Sequence, residues 1–253
     1  MNVLEKIVNE QNSKLSYLNH KYKIRKKIKC KSRFIKEIEK NNSQNKTSLI
    51  AEFKRFSPSV KEFKKIQSIR EVIKSYDKAN VTCISILTDK NFGGSINDIV
   101  IAKKYTNKPI IRKDFIVDPI QIYESALYEV DAILLIARIL TEKKLLELEN
   151  CARSYGLDVL IEIESEKDLL KIKRTKTNLI GINNRNLALQ KIDIKKTLEL
   201  SSKIKNRIIV SESGLTLRNI SVIKKNKINT FLIGGSILNN KDIKKYIAEI
   251  SKK

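Results

Sequence analysis

The stretch IIRKDFIVDP, residues 110–119, runs two isoleucines of a buried strand directly into an arginine, a lysine and an aspartate. An ionised group inside a sheet carries a large desolvation cost unless it is paired or used. The stretch therefore reads as a strand that ends where charge is wanted. Similar short β-branched or leucine-rich runs recur at SLIAEF (48–53), VTCISIL (81–87), PIIR (109–112), DAILLI (131–136), DVLIEI (158–163), NLIGIN (178–183), RIIVSE (207–212) and NTFLIG (229–234). Between them lie amphipathic helical patterns such as SIREVIKSYDKAN, TEKKLLELENCARSYG and DIKKTLELSSKIK. Strand then helix, repeated about eight times over roughly 200 residues, is the pattern of a parallel (β/α)8 barrel. A doubly wound open sheet is the competing architecture, but it usually carries a glycine-rich phosphate loop after its first strand. AEFKRFSPSV has no glycine. The expected fold is α/β, a single (β/α)8 TIM barrel over residues 49–253 with an N-terminal helical extension over 1–48. In that extension Ile24, Ile28, Phe34, Ile35 and Ile38 have helical spacing, and the polar NNSQNKTS precedes the first strand.

Composition narrows the function classes. The 253 residues suffice for a substantial core, and no apolar run reaches the roughly 18 residues of a membrane span. The start, MNVLEKIVNE, is mixed in charge and unlike a secretory leader. A soluble, cytoplasmic protein is expected, monomeric or weakly homo-oligomeric, with no membrane partner. Cys30, Cys83 and Cys151 are far apart and outside any C-x-x-C, which indicates neither a disulfide framework nor a zinc knuckle. His20 is the single histidine, so no metal is expected and acid/base work falls to Glu, Asp and Lys. The formal net charge of +24 raises nucleic-acid binding. The basic residues are nevertheless spread along the whole chain, on presumed outer helix faces such as KKIKCKSRFIKEIEK and DIKKYIAEISKK, with few interleaved aromatics. Abundant Lys, Ile and Asn all have A/T-rich codons, and that bias explains the charge better than a nucleic-acid site does.

In a barrel of this kind the site lies where the strands exit. The first strand delivers Glu52 and Lys54 on one face, the third Lys113, the fifth Glu162 followed by Glu164, and the sixth Asn183, Asn184 and Arg185. The seventh exits as Ser211, Glu212, Ser213 and Gly214, and the eighth as Gly234, Gly235 and Ser236. Singly, each reads as an ordinary strand-end charge or turn residue. Together, lysines and carboxylates converging in a low-dielectric mouth shift one another's pKa values as proton transfer requires. The glycines and serines after the last two strands fit the place where such barrels hold a phosphate with backbone N–H groups. An organic phosphate substrate and metal-free proton transfer follow.

With these residues aligned, the chain resembles the indole-3-glycerol-phosphate synthase family of tryptophan biosynthesis. The resemblance runs from about Leu49 to Ser236 through IAEFKRFSPS, SILTDKNFGGS, PIIRKDFIVDPIQIYES, LIGINNRNL, VSESGL and FLIGGS. It implies cyclisation, decarboxylation and dehydration of 1-(2-carboxyphenylamino)-1-deoxyribulose 5-phosphate to indole-3-glycerol phosphate, without cofactor or metal. It further implies Lys113 as principal general acid, Glu162 as partner acid/base, and Lys54, set by Glu52, near the substrate carboxylate. Asn183 would orient reacting groups, Ser57 and Arg185 would bind substrate, and Glu212 with Ser213 would complete the mouth. Gly214, Gly234 and Gly235 would hold the phosphate, and Phe115 with Leu134 would wall the aromatic ring. Two places depart from the family pattern: Val60 and Lys61 follow SPS where Gly or Lys-Gly is common, and Gly235 stands where Glu or Ser is common. Another phosphate-binding barrel, such as a sugar-phosphate isomerase, is the alternative enzyme, but those rely on an Asp or Cys pair where these exits offer Lys and Glu. A basic binding protein that kept the barrel and lost the chemistry is opposed by the intact set of exit residues.

Overall fold

Side chains alternate across each strand, and here the alternation sorts them into two cores. The computed structural model describes residues 3–23, 27–56, 68–186 and 191–252. Two helices come first, α1 (Val3–Lys21) and α2 (Phe34–Ser43). The strands and helices then alternate: β1 (Ser48–Phe53), α3 (Ile69–Lys78), β2 (Cys83–Leu87), α4 (Asn97–Lys103), β3 (Ile110–Lys113), α5 (Pro119–Leu127), β4 (Ala132–Ile136), α6 (Glu142–Ser154) and β5 (Asp158–Ile163). The second half continues with α7 (Glu166–Lys171), β6 (Leu179–Asn183), α8 (Lys195–Ser201), β7 (Ile208–Glu212), α9 (Leu217–Lys224), β8 (Thr230–Ile233), α10 (Gly235–Leu238) and α11 (Ile243–Lys252). Each strand falls within two residues of the run that predicts it. All neighbours are parallel and β1 pairs with β8, so the sheet closes into the expected eight-stranded barrel.

Outward residues such as Leu49, Ala51 and Phe53 of β1, or Val159, Ile161 and Ile163 of β5, join the core beneath the helices. Their inward neighbours Ile50 and Leu160 join Cys83, Ile111, Leu134, Leu179, Val210 and Leu232 inside the barrel. Strands buried on both faces read as near-continuous apolar runs, which is why the eight runs were legible. Helix starts are equally local. Asp118 caps α5 by accepting from Ile120 N, forms a capping box with Gln121, and precedes Pro119 in the first turn. Ser68 and Glu71 form the corresponding box on α3.

The residues before β1 close the barrel and flank its mouth. Phe34 and Ile38 of α2 are fully buried and plug the end where the strands begin. Asn42 donates to Thr230 at the start of β8 (3.0 Å), Asn41 to Thr82 just before β2 (2.8 Å), and Ser48 Oγ to Ile38 O (3.3 Å). Helix α1 packs Leu18 on Ile120 and Tyr123 of α5 and reaches the opposite end of the barrel. The expected helical spacing through residues 24–38 is corrected: only Phe34, Ile35 and Ile38 lie on a helix, while Ile24 falls outside the described residues. Ile28 sits in a non-helical segment that packs on both outer clusters and is tied down by Cys30 N donating to Tyr155 O (2.7 Å). Tertiary contact overrides the local period there. The lysine-rich KIKCKSR, residues 27–33, is accordingly not the outer face of a helix. Among the described residues, no helix is long and apolar enough to cross a membrane.

Candidate active site

The inward face of each strand continues past the apolar layer into charge. Glu52, Lys54, Lys113, Glu162, Asn183 and Glu212 all line one cavity of about 430 Å3 at the strand exits. Lys113 Nζ stands among three carboxyl groups, 3.3 Å from Glu162 Oε2, 3.4 Å from Glu212 Oε2 and 4.0 Å from Glu52 Oε2. Lys54 pairs with the other oxygen of Glu52. Asn183 Nδ2 donates to Glu162 Oε1 at 3.0 Å, and its own Oδ1 accepts from Arg185 N at 2.9 Å. Asn183 thus fixes the Glu162 carboxylate and the turn that carries Arg185 together. Arg185 bridges back to Ile192 and also lines the cavity.

Two glycines make room for this cluster. A Cβ at Gly181 would lie 2.0 Å from Glu212 Oε1, and one at Gly234 would lie 2.5 Å from Glu52 Oε1. Strand β6 and the exit of β8 therefore give up a side chain so that a neighbouring carboxyl can turn inward. Glu212 is 1% exposed, and its Oε1 has no hydrogen-bond partner.

Burial disfavours the Lys113 ammonium, but the surrounding carboxyl groups, Glu162 foremost with Glu212 and Glu52, outweigh it and hold its pKa well above the ordinary lysine value. Burial would likewise raise the Glu52 carboxyl; Lys54 and Lys113 prevail, and it titrates below the usual carboxylate range. At Glu212 burial wins over the attraction of Lys113, with repulsion from Glu162 and Glu52 added, and the carboxyl is raised to about 8. The mouth at neutral pH thus combines a firmly protonated ammonium with a carboxylic acid that keeps its proton. That combination supplies both a stabiliser for a developing oxyanion and groups able to exchange protons.

The rest of the cavity divides into two walls. On one side Phe115 follows Lys113, and its ring stacks on Phe92 from the β2–α4 loop, centroids 6.3 Å apart at 20°. Leu134, Ile136, and Leu4 and Ile7 of α1 extend this apolar side. The other side is formed by Ser213, Gly214, Thr216, Gly234, Gly235 and Ser236. Ser213 and Gly214 both take left-handed backbone, with φ of 66° and 70°. Asn184 Nδ2 holds that turn by donating to Glu212 O (2.9 Å) and Ser213 O (3.3 Å). Gly214 needs to be glycine for a second reason, since a Cβ would lie 2.3 Å from Ile192 Cγ2. A Cβ at Gly235, by contrast, would meet nothing within 4 Å, so the family departure at that position leaves open space.

Every residue to which the family resemblance gives a role lines this cavity except Ser57, which lies outside the described residues together with Val60 and Lys61. Glu164 does not join it. The chain leaves the sheet after Ile163, and Glu164 pairs instead with Arg138 (2.7 Å) and Lys196 (3.8 Å). Phe92 is a cavity residue inside a matched block to which the sequence assigns no role. Phe92 was passed over because nothing in sequence says which ring meets Phe115. Ser236, expected at the eighth exit, lines the cavity with its Oγ buried and without a hydrogen-bond partner. Leu4 and Ile7 carried no signal, because a helical period does not name what the helix covers. Among the described residues, no group of three or more His, Cys, Asp or Glu is arranged to hold a metal ion.

Comparison with known proteins gives a consistent result. The family model described as indole-3-glycerol phosphate synthase matches residues 3–250. Among relatives, the indole-3-glycerol phosphate synthase of Polynucleobacter asymbioticus is 39% identical over 212 residues, covering 83% of this chain and 79% of its own. That of Caldanaerobacter subterraneus subsp. tengcongensis is 35% identical over 98% of both chains. Among solved structures, tryptophan synthase subunit alpha from Legionella pneumophila superposes with a TM-score of 0.65 at 12% identity, over 87% of this chain and 97% of its own. At that identity the likeness concerns the barrel alone.

Proposed function

The chain belongs to the indole-3-glycerol phosphate synthase family, and from that premise we propose how the residues of its mouth divide the reaction. The family's reaction closes a ring on 1-(2-carboxyphenylamino)-1-deoxyribulose 5-phosphate and releases CO2 and water to give indole-3-glycerol phosphate. Lys113 is the principal general acid. As the aromatic carbon that bears the carboxylate attacks the ketone carbon, the C=O bond opens and the oxygen takes the ammonium proton. An ammonium whose pKa is raised by the surrounding carboxyl groups gives up its proton only to a strongly basic oxygen, and a forming alkoxide is one. Loss of CO2 then returns the bonding electrons to the ring. Glu162, oriented by Asn183, serves the later proton transfers and the loss of water. Lys54, set by Glu52, faces the substrate carboxylate.

Binding follows the two walls. Phe92, Phe115 and Leu134 hold the flat aryl group, with Arg185 and Ser57 as further substrate contacts. Gly214, Gly234 and Gly235 offer backbone N–H groups to the phosphate, with Ser236 Oγ beside them. Glu212 and Ser213 complete the mouth between the walls. The reading calls for no cofactor or metal, keeps the cytoplasm as compartment, and takes the working unit as a monomer or weak homo-oligomer, which light scattering checks. Nucleic acid has no part in it.

The observation that carries the reading is Lys113 Nζ placed between Glu162 and Glu212 at 3.3 and 3.4 Å on the floor of the cavity. Its test is indole fluorescence on adding the carboxyphenylamino-deoxyribulose phosphate to the parent protein and to Lys113→Ala. The chain has no tryptophan to interfere. Turnover in the parent that falls by about a hundredfold or more in the variant supports the role; undiminished turnover in a folded Lys113→Ala refutes it.

A further inference from the structure

Helix α1 is largely exposed, yet it sends one amide into the protein. Gln11 is 3% exposed, and its side chain meets three partners from two loops and the first turn of α5. Its Nε2 donates to Asp89 Oδ2 at 2.6 Å and to Asp114 Oδ1 at 3.3 Å, while its Oε1 accepts from Gln121 Nε2 at 3.3 Å. Each partner already shapes a turn that bears a ring of the aryl wall. Asp89 Oδ1 accepts from Asn91 N (2.7 Å) and caps the short turn Lys90–Phe92. Asp114 accepts from Phe115 N (2.8 Å) and from Thr88 Oγ1 (2.6 Å), which joins the β2 and β3 exits. Gln121 donates to Phe115 O (3.0 Å) and accepts from Val117 N (2.8 Å). The carboxylates of Asp89 and Asp114 repel each other, and the shared Gln11 amide, with Arg112 paired to Asp114 at 3.0 Å, lets them stand together. On the same face of α1, four and seven residues earlier, Ile7 and Leu4 line the cavity.

We propose that Gln11 is a positioning residue for aryl recognition: its amide sets the spacing of the Phe92 and Phe115 turns and seats α1 so that Leu4 and Ile7 close the same wall. It touches no reacting atom and acts through those side chains. The inference rests on the synthase reading above.

The test compares the parent with Gln11→Met, of similar length without hydrogen bonds, and Gln11→Glu, of the same shape. KM and kcat are measured for the substrate, and the Kd of anthranilate is read from its own fluorescence. Loss of the amide is expected to raise KM and the anthranilate Kd together by about fivefold, with kcat changed less than about twofold. In Gln11→Glu the new carboxyl faces Asp89 and Asp114 from the two loops. The nearest cations are Arg112 behind Asp114, Lys14 on α1, and Lys90, which pairs with Glu10. Burial and like charge raise the pKa of the new carboxyl, so its KM relative to the parent should grow as pH rises from about 6 to 8. If Gln11→Met does not fold, the rise in KM and anthranilate Kd of Gln11→Glu between about pH 6 and 8 carries the comparison. Parent-like KM and Kd in both variants at every pH, with only the melting temperature lowered, overturn the proposal. A parent that binds anthranilate but shows no turnover overturns the synthase reading instead, and the anthranilate Kd still decides the role of Gln11.

Discussion

Replacing Glu212 with Gln should flatten the dependence of stability on pH between about 5 and 8. The folded protein keeps a proton on Glu212 up to a pKa of about 8, because burial outweighs its attraction to Lys113. An unfolded glutamate has released that proton by about pH 5. The native state thus binds one more proton across this window, and stability falls as pH rises through it. The stabilising term is fully present below the unfolded pKa and is lost as pH passes the folded one. For one proton the limiting slope is about 1.4 kcal/mol per pH unit. Glutamine cannot titrate and keeps nearly the same shape, so the parent should lose up to about 3 kcal/mol more than the variant from pH 5.5 to 7.5. Urea unfolding at half-unit steps measures this, and the difference between the two proteins cancels every titration they share. Lys113 titrates above the window and Glu52 below it, so neither imitates the effect. Parallel curves would refute the reasoning, since they would mean that Glu212 is ionised in the native mouth at neutral pH.

Other outcomes follow from the packing. Gly181→Ala should destabilise by about 1–3 kcal/mol, because its Cβ would lie 2.0 Å from Glu212 Oε1. Most of that cost should vanish in a Glu212→Ala background, which a double-mutant cycle by thermal unfolding measures; equal costs in both backgrounds would remove the steric explanation. Phe34→Ala should cost about 3–5 kcal/mol by emptying the plug of the barrel floor, where the ring is fully buried. Denaturant unfolding reads it, and a loss below about 1 kcal/mol would show that α2 does not seal the barrel.

Much of this protein could be read along the chain, for a physical reason. Strands buried on both faces must be apolar along their length, so runs such as DAILLI announce themselves, and a closed parallel barrel then says that chemistry sits at the exits. Glu52, Lys113, Glu162, Asn183 and Glu212 were legible because each breaks an apolar run where a charge or amide would otherwise be costly. The N-terminal extension was harder. A helical period cannot say whether a face meets the barrel floor, as Phe34 does, or its mouth, as Leu4 and Ile7 do, and it suggested a helix through Ile28 where packing imposes none. What only the tertiary structure decided is which charges share a space. The sequence determined that carboxylates and lysines would meet at one end of the barrel. Separation in three dimensions and exclusion of water decided that Lys113 stands among three of those carboxyl groups, that Glu212 keeps its proton, and that Glu164 turns away to Arg138, because electrostatic interaction depends on distance and dielectric and not on position in the chain.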